Sequence, residues 1–333
     1  MKKCIQKMLF LALAAAIAVS AFTGCTSSSS TEGKYKIGIA QSIEHTSLNQ
    51  IRDAILARLN ELGYTEETAE IDYQNAQGDQ AALSSICSKF QGDKKDIVIA
   101  IGTTTAQAVC GSVKELPVLF SSVTDPVGLG LVESYQKTNQ NRTGIANYFP
   151  LDDIFKLAFQ LTPDIKKIGF IHCSSEYGAA KIIEDAQSIL KENYPGVSCK
   201  DTVISNSSEL SQAVQSMVGK VDAIFVPNDS VVASAMPVLS DIARKNKIPV
   251  YVTADSLVMD GGLATVGINY EDLGKMTADT ADEILKGKPV SEIPVKNIDT
   301  FRTVINQSTS DQIALSLPES IASSAQLITD SAN

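Results

Sequence analysis

The segment Asp96–Ala108, DIVIAIGTTTAQA, passes from an apolar run into a glycine and three threonines, and this transition decides the fold. The apolar run is typical of a buried strand, and the residues after Gly102 are typical of the start of a helix. A second segment, Asp222–Ser234, repeats the pattern 126 residues later as DAIFVPNDSVVAS. The two segments predict two strand-to-helix units of the same design.

Two further pairs of segments repeat in the same order. Lys36–Gly38 corresponds to Lys167–Gly169, 131 residues later, and Pro117–Val118 corresponds to Pro249–Val250, 132 residues later. The shared order and similar offsets predict two copies of one α/β unit, with chance similarity among apolar strands as the alternative. Two such units facing each other would enclose a cleft.

Strands and helices alternate along the chain. The predicted strands are Lys36–Ala40, Asp96–Ile101, Val118–Phe120, Lys167–Ile171, Asp222–Val226 and Val250–Thr253. The predicted helices are Leu48–Leu62, a helix capped by Asp79, Thr103–Val113, Asp152–Leu161, Tyr177–Asn193, Ser230–Asn246 and Glu271–Leu285. This alternation predicts an α/β fold in which mainly parallel sheets are flanked by helices.

Polar residues follow the predicted strands directly, where ligands bind in open α/β sheets. The first unit contributes Ser42, His45, Thr103, Thr104 and Asp125, and the second contributes Glu176, Tyr177, Asn228, Asp229 and Asp255. Hydroxyls and free N–H groups at the start of the Thr103 helix suit an anion such as a carboxylate. Acidic residues at the matching strand ends can hold an ammonium group. For each residue taken singly, helix capping or a surface position is the alternative.

The N-terminal segment predicts where the protein works. A lysine-rich start precedes the apolar run Met8–Val19, which is typical of a secretory signal peptide over residues 1–24. Ala21–Cys25 resembles a bacterial lipobox, which predicts lipidation of Cys25 and a flexible linker over residues 25–34. An uncleaved anchor helix is the alternative. The lipobox motif predicts a protein that is anchored by a lipid to the extracytoplasmic face of the cell membrane.

Composition argues against several classes of function. The contents of hydrophobic residues, 44%, and charged residues, 20%, are ordinary for a globular chain. A formal net charge of −10 argues against nucleic acid as a partner, because phosphate binding needs clustered basic residues. The chain has only the histidines His45 and His172, and no CxxC pair, so we predict neither a metal site nor a disulfide framework. The helical spacing around Cys87 and Cys110 predicts core positions for both.

The sequence contains none of the short motifs GxxxxGK[ST], GxSxG or HExxH. These motifs mark nucleotide-binding, serine-hydrolase and zinc-protease sites, so we do not predict an enzyme. Binding in a cleft is the function class that the remaining features favour.

Several motifs together resemble one protein family. Glu44–Leu48, Gly102–Thr104, Val123–Gly128, Val221–Asp229 and Ile248–Val250 are similar to the bacterial ABC-transporter substrate-binding lipoproteins of the tryptophan/tyrosine-binding type. The similarity covers about residues 35 to 315. The resemblance implies a two-lobed periplasmic-binding-protein fold with a ligand cleft between the lobes, a partner permease with its ATPase, and no cofactor. It also implies an aromatic amino acid as the ligand.

The family topology implies how the chain divides between the lobes. The first lobe would comprise residues 35–147 and about 270–296, and the second would comprise 148–269 and about 297–333. Asn147 and Tyr270 lie at the predicted crossings and join the candidate ligand-binding residues.

Within that family frame, an α-amino acid has a predicted position for each charged end. Its carboxylate would meet Ser42, Thr103 and Thr104. Its ammonium would meet Asp229 or Asp255, with Asp125 as a further candidate. The alternatives are a two-lobed sensor module for another small solute and, less favoured, an enzyme on the same fold.

Overall fold

The computed structural model describes residues 33–138, 141–298 and 300–329 of the 333-residue chain. The predicted signal peptide and the predicted lipidation site Cys25 lie outside the described residues. Over the described ranges, none of the helices combines the length and the apolar character that a membrane span requires.

Two sheets of mainly parallel strands organise the described chain. In spatial order the first contains β11 (Lys296–Asn297), β5 (Arg142–Asn147), β4 (Val118–Thr124), β3 (Ile97–Ile101), β1 (Tyr35–Gln41) and β2 (Ala69–Asn75). The second contains β13 (Gln326–Ile328), β12 (Arg302–Asn306), β10 (Ala264–Gly267), β9 (Val250–Val252), β8 (Ala223–Val226), β6 (Lys167–Cys173) and β7 (Ser198–Ile204). Only β10 and β12 pair antiparallel among these described strands. The predicted fold class is confirmed.

Helices flank both sheets. They are α1 (Thr46–Glu61), α2 (Gln80–Gly92), α3 (Thr103–Ser112), α4 (Leu151–Leu161), α5 (Tyr177–Asn193), α6 (Leu210–Gln215), α7 (Ser230–Ala233), α8 (Met236–Lys245), α9 (Asp255–Met259), α10 (Tyr270–Leu285), α11 (Gln307–Gln312) and α12 (Glu319–Ala322). Helices α1, α2, α3 and α10 pack against the six-stranded sheet, and we call this assembly the first lobe. The seven-stranded sheet with the remaining helices is the second lobe.

The predicted repeat is visible in the strand order. The first sheet runs β2-β1-β3-β4-β5 from one edge, and the second runs β7-β6-β8-β9-β10. Each lobe therefore places its five successive strands in the same order, as expected for two copies of one α/β unit. The repeated segments of the sequence correspond to β1 and β6, β3 and β8, and β4 and β9.

The prediction of one helix over Ser230–Asn246 is wrong, because the chain forms α7 and then restarts as α8. Pro237 has no backbone N–H, and deep inside a helix its ring would clash with a carbonyl of the preceding turn. In the observed structure Pro237 lies in the first turn of α8, where the N–H groups have no helical partner. The break therefore removes the conflict.

Burial of the strands explains their apolar composition. Strand β3, IVIAI, is buried along its whole length because helices cover both faces of a parallel sheet. Helix α1 directs Leu48, Ile51 and Leu59 into the core, as the spacing of these residues predicts. Cys87 and Cys110 are core residues, which confirms their prediction, and both carry free thiols.

Candidate ligand-binding cleft

The segments that follow the parallel strands of the two lobes meet each other. Side-chain hydrogen bonds join Thr46 Oγ1 to Asp260 Oδ1 at 2.9 Å, Ser47 Oγ to Ser256 Oγ at 2.6 Å, Thr104 Oγ1 to Glu176 Oε1 at 3.1 Å, Tyr177 Oη to Asp125 Oδ2 at 3.4 Å and Tyr270 Oη to Asn228 Oδ1 at 3.0 Å. In each pair one residue belongs to the first lobe and the other to the second. Six of the twelve predicted candidates therefore lie at the boundary between the lobes: Thr104, Asp125, Glu176, Tyr177, Asn228 and Tyr270.

Two buried carboxyl groups form the acidic end of this boundary. Asp229 is 1% exposed, and its carboxylate accepts hydrogen bonds from the N–H groups of Cys173 at 2.6 Å and of Val231 and Val232 at 2.9 Å. Glu176 is also buried and accepts the bond from Thr104. Burial raises the pKa of Glu176 to about 7, and the nearby Asp229 raises it further. Burial raises the pKa of Asp229 as well, whereas the hydrogen bonds from its N–H donors lower it.

Among the described residues, the acidic end has no lysine or arginine partner, and His172 is a basic group that acts to lower the pKa of Asp229. Within the described residues, no salt bridge joins Glu176 or Asp229 to a lysine or an arginine. Two buried carboxyls in one place disfavour each other's charge unless a positive group is added. This geometry can therefore hold a positively charged group of a ligand.

The start of α3 differs in part from its predicted role. Thr103 Oγ1 accepts a hydrogen bond from the N–H of Thr124 at 3.1 Å, and the Thr104 hydroxyl donates to Glu176. The sequence prediction gave both hydroxyls to a ligand carboxylate. A ligand carboxylate that accepted a hydrogen bond from the Thr104 hydroxyl would lie next to the carboxyl of Glu176, which repels it. The Thr104 side chain therefore belongs to the acidic end of the cleft.

A second acidic candidate is already balanced by the protein. Asp255 is 2% exposed and forms an ion pair of 2.6 Å with Arg302. Burial raises the pKa of Asp255, while the Arg302 guanidinium acts in the opposite direction. Of the predicted ammonium sites, Asp255 is thus the one whose charge already has a partner. Sequence reasoning missed Arg302, which lies on β12 and reaches Asp255 through the antiparallel pairing with β10.

Polar side chains continue the boundary near the chain crossings. Tyr270 is fully buried, and burial raises the pKa of its hydroxyl, which donates to Asn228. Asn147 is buried as well and donates through Nδ2 to Ser122 Oγ at 2.9 Å. The positions of Asn147 and Tyr270 at the crossings were predicted, whereas the Ser122 contact was not. The signal for it was the run of hydroxyl residues that ends β4.

The remaining candidates lie at the rim or in the interior. Tyr177 is 42% exposed, and its partner Asp125 has φ of 52° and accepts a bond from the N–H of Gly128 at 2.8 Å. Ser42 is buried, and its carbonyl accepts from the N–H of Gly78. His45 is buried directly before α1. A cavity of about 290 Å³, lined among others by Asp125 and Asn147, opens at this rim.

A family model described as ABC transporter substrate binding protein matches residues 36–328. The chain belongs to the ABC transporter substrate-binding protein family. A curated relative from Clostridioides difficile (strain R20291), named tyrosine-binding protein, is 39% identical over 316 residues, which is 91% of each chain. The resemblance found in the sequence is confirmed. The family and this relative are solute-binding proteins rather than enzymes.

Two similar solved structures differ in their ligand state. An ABC domain from Streptococcus pneumonia in complex with L-Trp is 32% identical, with a TM-score of 0.85 over 89% of this chain and 100% of that one. The ligand-free, open structure of a substrate binding protein with adhesive properties from Clostridium difficile is 36% identical, with a TM-score of 0.68 over the same shares. At similar identity and coverage, the overall backbone of this chain is thus more similar to the L-Trp complex than to the ligand-free, open structure.

Proposed function

We propose that this ABC transporter substrate-binding protein captures an α-amino acid with an aromatic side chain between its lobes. The observation that carries the proposal is the buried pair of Glu176 and Asp229 at the lobe boundary, which forms no salt bridge with a lysine or arginine of the described residues. An ammonium group satisfies both carboxyls by charge-assisted hydrogen bonds. The similarity to a tyrosine-binding protein and to a structure with L-Trp supports an aromatic amino acid.

The ligand carboxylate is assigned to the first turn of α3. The backbone N–H groups of that turn carry the positive end of the helix dipole, and they do not depend on the threonine hydroxyls. Ser42, buried after β1, lies at the end of the neighbouring strand and is assigned to the same end of the ligand. The acidic end and the helix start would thus bind the two charged groups of one zwitterion.

The expected contributions show that the ring and both charged ends are needed. A buried aromatic ring contributes about 1.5–3 kcal/mol, and each hydrogen bond to a charged group contributes about 1.5–3 kcal/mol. Micromolar binding requires about 8 kcal/mol net, after the entropy of association is overcome. No single contact reaches that value.

The lobes would close on the ligand by bending where the chain crosses between the sheets. We assign these hinges to the segments after β5, before α10, and between β11 and β12. The closed receptor would then deliver its ligand to a permease driven by an ATPase. Lipidation of Cys25 would hold it on the extracytoplasmic face of the membrane.

Calorimetry with tyrosine, tryptophan and phenylalanine tests the ligand assignment. Matched controls are tyramine, which lacks the carboxylate, and 3-(4-hydroxyphenyl)propionate, which lacks the amino group. At least one of the three amino acids is expected to bind at micromolar concentration or tighter, and both controls to bind at least roughly tenfold more weakly. Tight binding of an aromatic acid without an amino group, with no binding of the amino acids, would overturn the assignment.

The anchor has its own test. Replacing Cys25→Ser should release the protein from membranes, whereas Cys87→Ser, a core position within the first lobe, should leave it attached. Membrane fractionation and intact mass distinguish the outcomes. A Cys25→Ser protein that stays in the membrane fraction at an unchanged mass contradicts lipidation.

A further inference from the structure

His45 is a buried polar side chain without a partner. It is 8% exposed, and within the described part of the chain neither Nδ1 nor Nε2 has a hydrogen-bond partner. Burial lowers the pKa of the imidazole to about 3, so the ring is neutral at physiological pH. A neutral imidazole has one N–H donor and one acceptor nitrogen. Buried polar groups of this kind are normally hydrogen-bonded in folded proteins.

The position of His45 places it at the boundary between the lobes. It lies between β1 and α1, directly before Thr46 and Ser47. The hydroxyls of these two residues bond across the boundary to Asp260 and Ser256. His45 therefore directly precedes the two residues that contact the second lobe.

His45 and the acidic end lie at different strand ends: the residues after His45 contact Ser256 and Asp260 of the second lobe, whereas Glu176 contacts the start of α3. Burial accounts for the lowered pKa of its ring. A carboxylate close to the imidazole would instead favour the charged form and hold the pKa up. The cleft thus has a charged end at Glu176 and a neutral hydrogen-bonding group at His45, both at the lobe boundary. An amino acid has the same division between its charged backbone groups and its side chain.

We propose that His45 is a specificity-determining residue that hydrogen-bonds a hydroxyl group on the aromatic ring of the ligand, so that the site prefers tyrosine to phenylalanine. This inference rests on the proposed function. A phenol hydroxyl can donate to the acceptor nitrogen or accept from the N–H, so it suits either tautomer of the imidazole. Phenylalanine would bury the same ring but leave both nitrogens of His45 unpaired. A site built to hydrogen-bond a hydroxyl discriminates strongly against the analogue that lacks it.

The test is a comparison of two ligands with two variants. Calorimetry would measure tyrosine and phenylalanine binding to the wild type, to His45→Leu, which removes both polar nitrogens, and to His45→Gln, which keeps a donor and an acceptor. We expect the wild type to prefer tyrosine by roughly tenfold or more. His45→Leu should bring the two affinities to within about threefold, and His45→Gln should retain part of the preference.

Each outcome separates this inference from the proposed function. The inference is wrong if tyrosine and phenylalanine bind the wild type with equal affinity. It is also wrong if His45→Leu lowers the affinity for both ligands by the same factor, because His45 then contributes packing alone. If no aromatic amino acid binds the wild type, the proposed function itself fails, and this inference fails with it. Should His45→Leu not fold, ¹⁵N spectra of the wild-type imidazole give the answer. Addition of tyrosine must then change the ¹⁵N chemical shifts of the His45 ring more than addition of phenylalanine does, and equal changes overturn the inference.

Discussion

At the scale of single residues, the surroundings of a side chain decide its chemistry more than its type does. Glu176, Asp229 and Asp255 are all buried acids that follow strands, and the sequence pattern does not distinguish between them. In the structure Asp255 has Arg302, Asp229 has three backbone N–H donors, and Glu176 has one hydroxyl. Glu176 is the acid with the weakest support for its charge, which makes it the most sensitive to a bound cation.

The first prediction concerns the stability of the ligand-free protein. The pKa of Glu176 is raised from its ordinary value of 4.5 to about 7 in the folded state. The unfolded chain therefore loses this proton first as pH rises, and the contribution of Glu176 to stability, full below pH 4.5, is lost as pH approaches 7. Urea unfolding between these pH values should show a smaller fall in the free energy of unfolding for Glu176→Gln than for the wild type. Glu292→Gln, at an exposed position, should follow the wild type.

The second prediction concerns ligand binding by the same variant. Glu176→Gln removes a charge that the ligand ammonium needs, so the affinity for an aromatic amino acid should fall roughly tenfold or more. Wild-type binding should also weaken as pH falls below 7, because Glu176 must lose its proton to accept a cation. Calorimetry across this pH range measures both effects. An unchanged affinity in the variant contradicts the role of Glu176.

At the scale of elements, the close approach of α10 to α1 depends on a glycine. A Cβ added to Gly274 would lie 2.6 Å from Ala54 Cβ and 2.6 Å from the carbonyl oxygen of Ile51. Both neighbours belong to the facing helix, and the backbone atom cannot move without shifting that helix. The absence of a side chain therefore sets the distance between the two helices.

The third prediction follows from this contact. Although alanine favours helices, Gly274→Ala should lower the free energy of unfolding by about 1–3 kcal/mol, because the overpacked interface must separate. The matched control is Gly111→Ala in α3, where an added Cβ meets nothing within 4 Å. The control should be stabilised by about 0.4–1 kcal/mol. Urea unfolding measures both, and a stabilised Gly274→Ala would show that the helices adjust freely.

At the scale of the whole molecule, the lobes touch through α5 as well as through hydrogen bonds. A Cβ on Gly178, in the first turn of α5, would lie 2.9 Å from Thr124 Cβ and 3.5 Å from Thr103 Oγ1 of the first lobe. The three atoms nearest to the added Cβ all belong to the first lobe, across the boundary. We therefore expect a side chain at this position to obstruct closure more than it disturbs the packing of the second lobe.

The fourth prediction tests closure directly. Gly178→Leu should keep the lobes apart and weaken ligand binding by roughly tenfold or more, with little change in the stability of the ligand-free protein. Small-angle scattering should show a smaller radius of gyration on ligand addition for the wild type and no decrease for the variant. Gly92→Leu, where an added Cβ meets nothing within 4 Å, should behave as the wild type. Wild-type closure in Gly178→Leu would contradict this account of the boundary.

The sequence alone determined six of the thirteen described strands, most of the longer helices, the repeat and the neighbourhood of the cleft. Apolar runs such as β3 and the spacing along α1 are properties of residues close together in the chain, so they can be recognised locally. Asp79 accepts from the N–H of Ala82 and caps α2 as predicted, because a cap also involves only near neighbours. Polar residues after parallel strands meet at the same edge of each sheet, which explains why the candidates gather at one boundary.

Only the tertiary structure decided which partner each candidate has. Thr104 and Glu176 are 72 residues apart in the chain, Asp255 and Arg302 are 47 apart, and Thr46 and Asp260 are 214 apart. These pairs depend on how the lobes meet and on the antiparallel return of β12, which no local pattern encodes. Burial likewise arises from the assembled fold. Burial is the main cause of the raised pKa of Glu176, to which the nearby Asp229 adds, and it accounts for the neutral ring of His45.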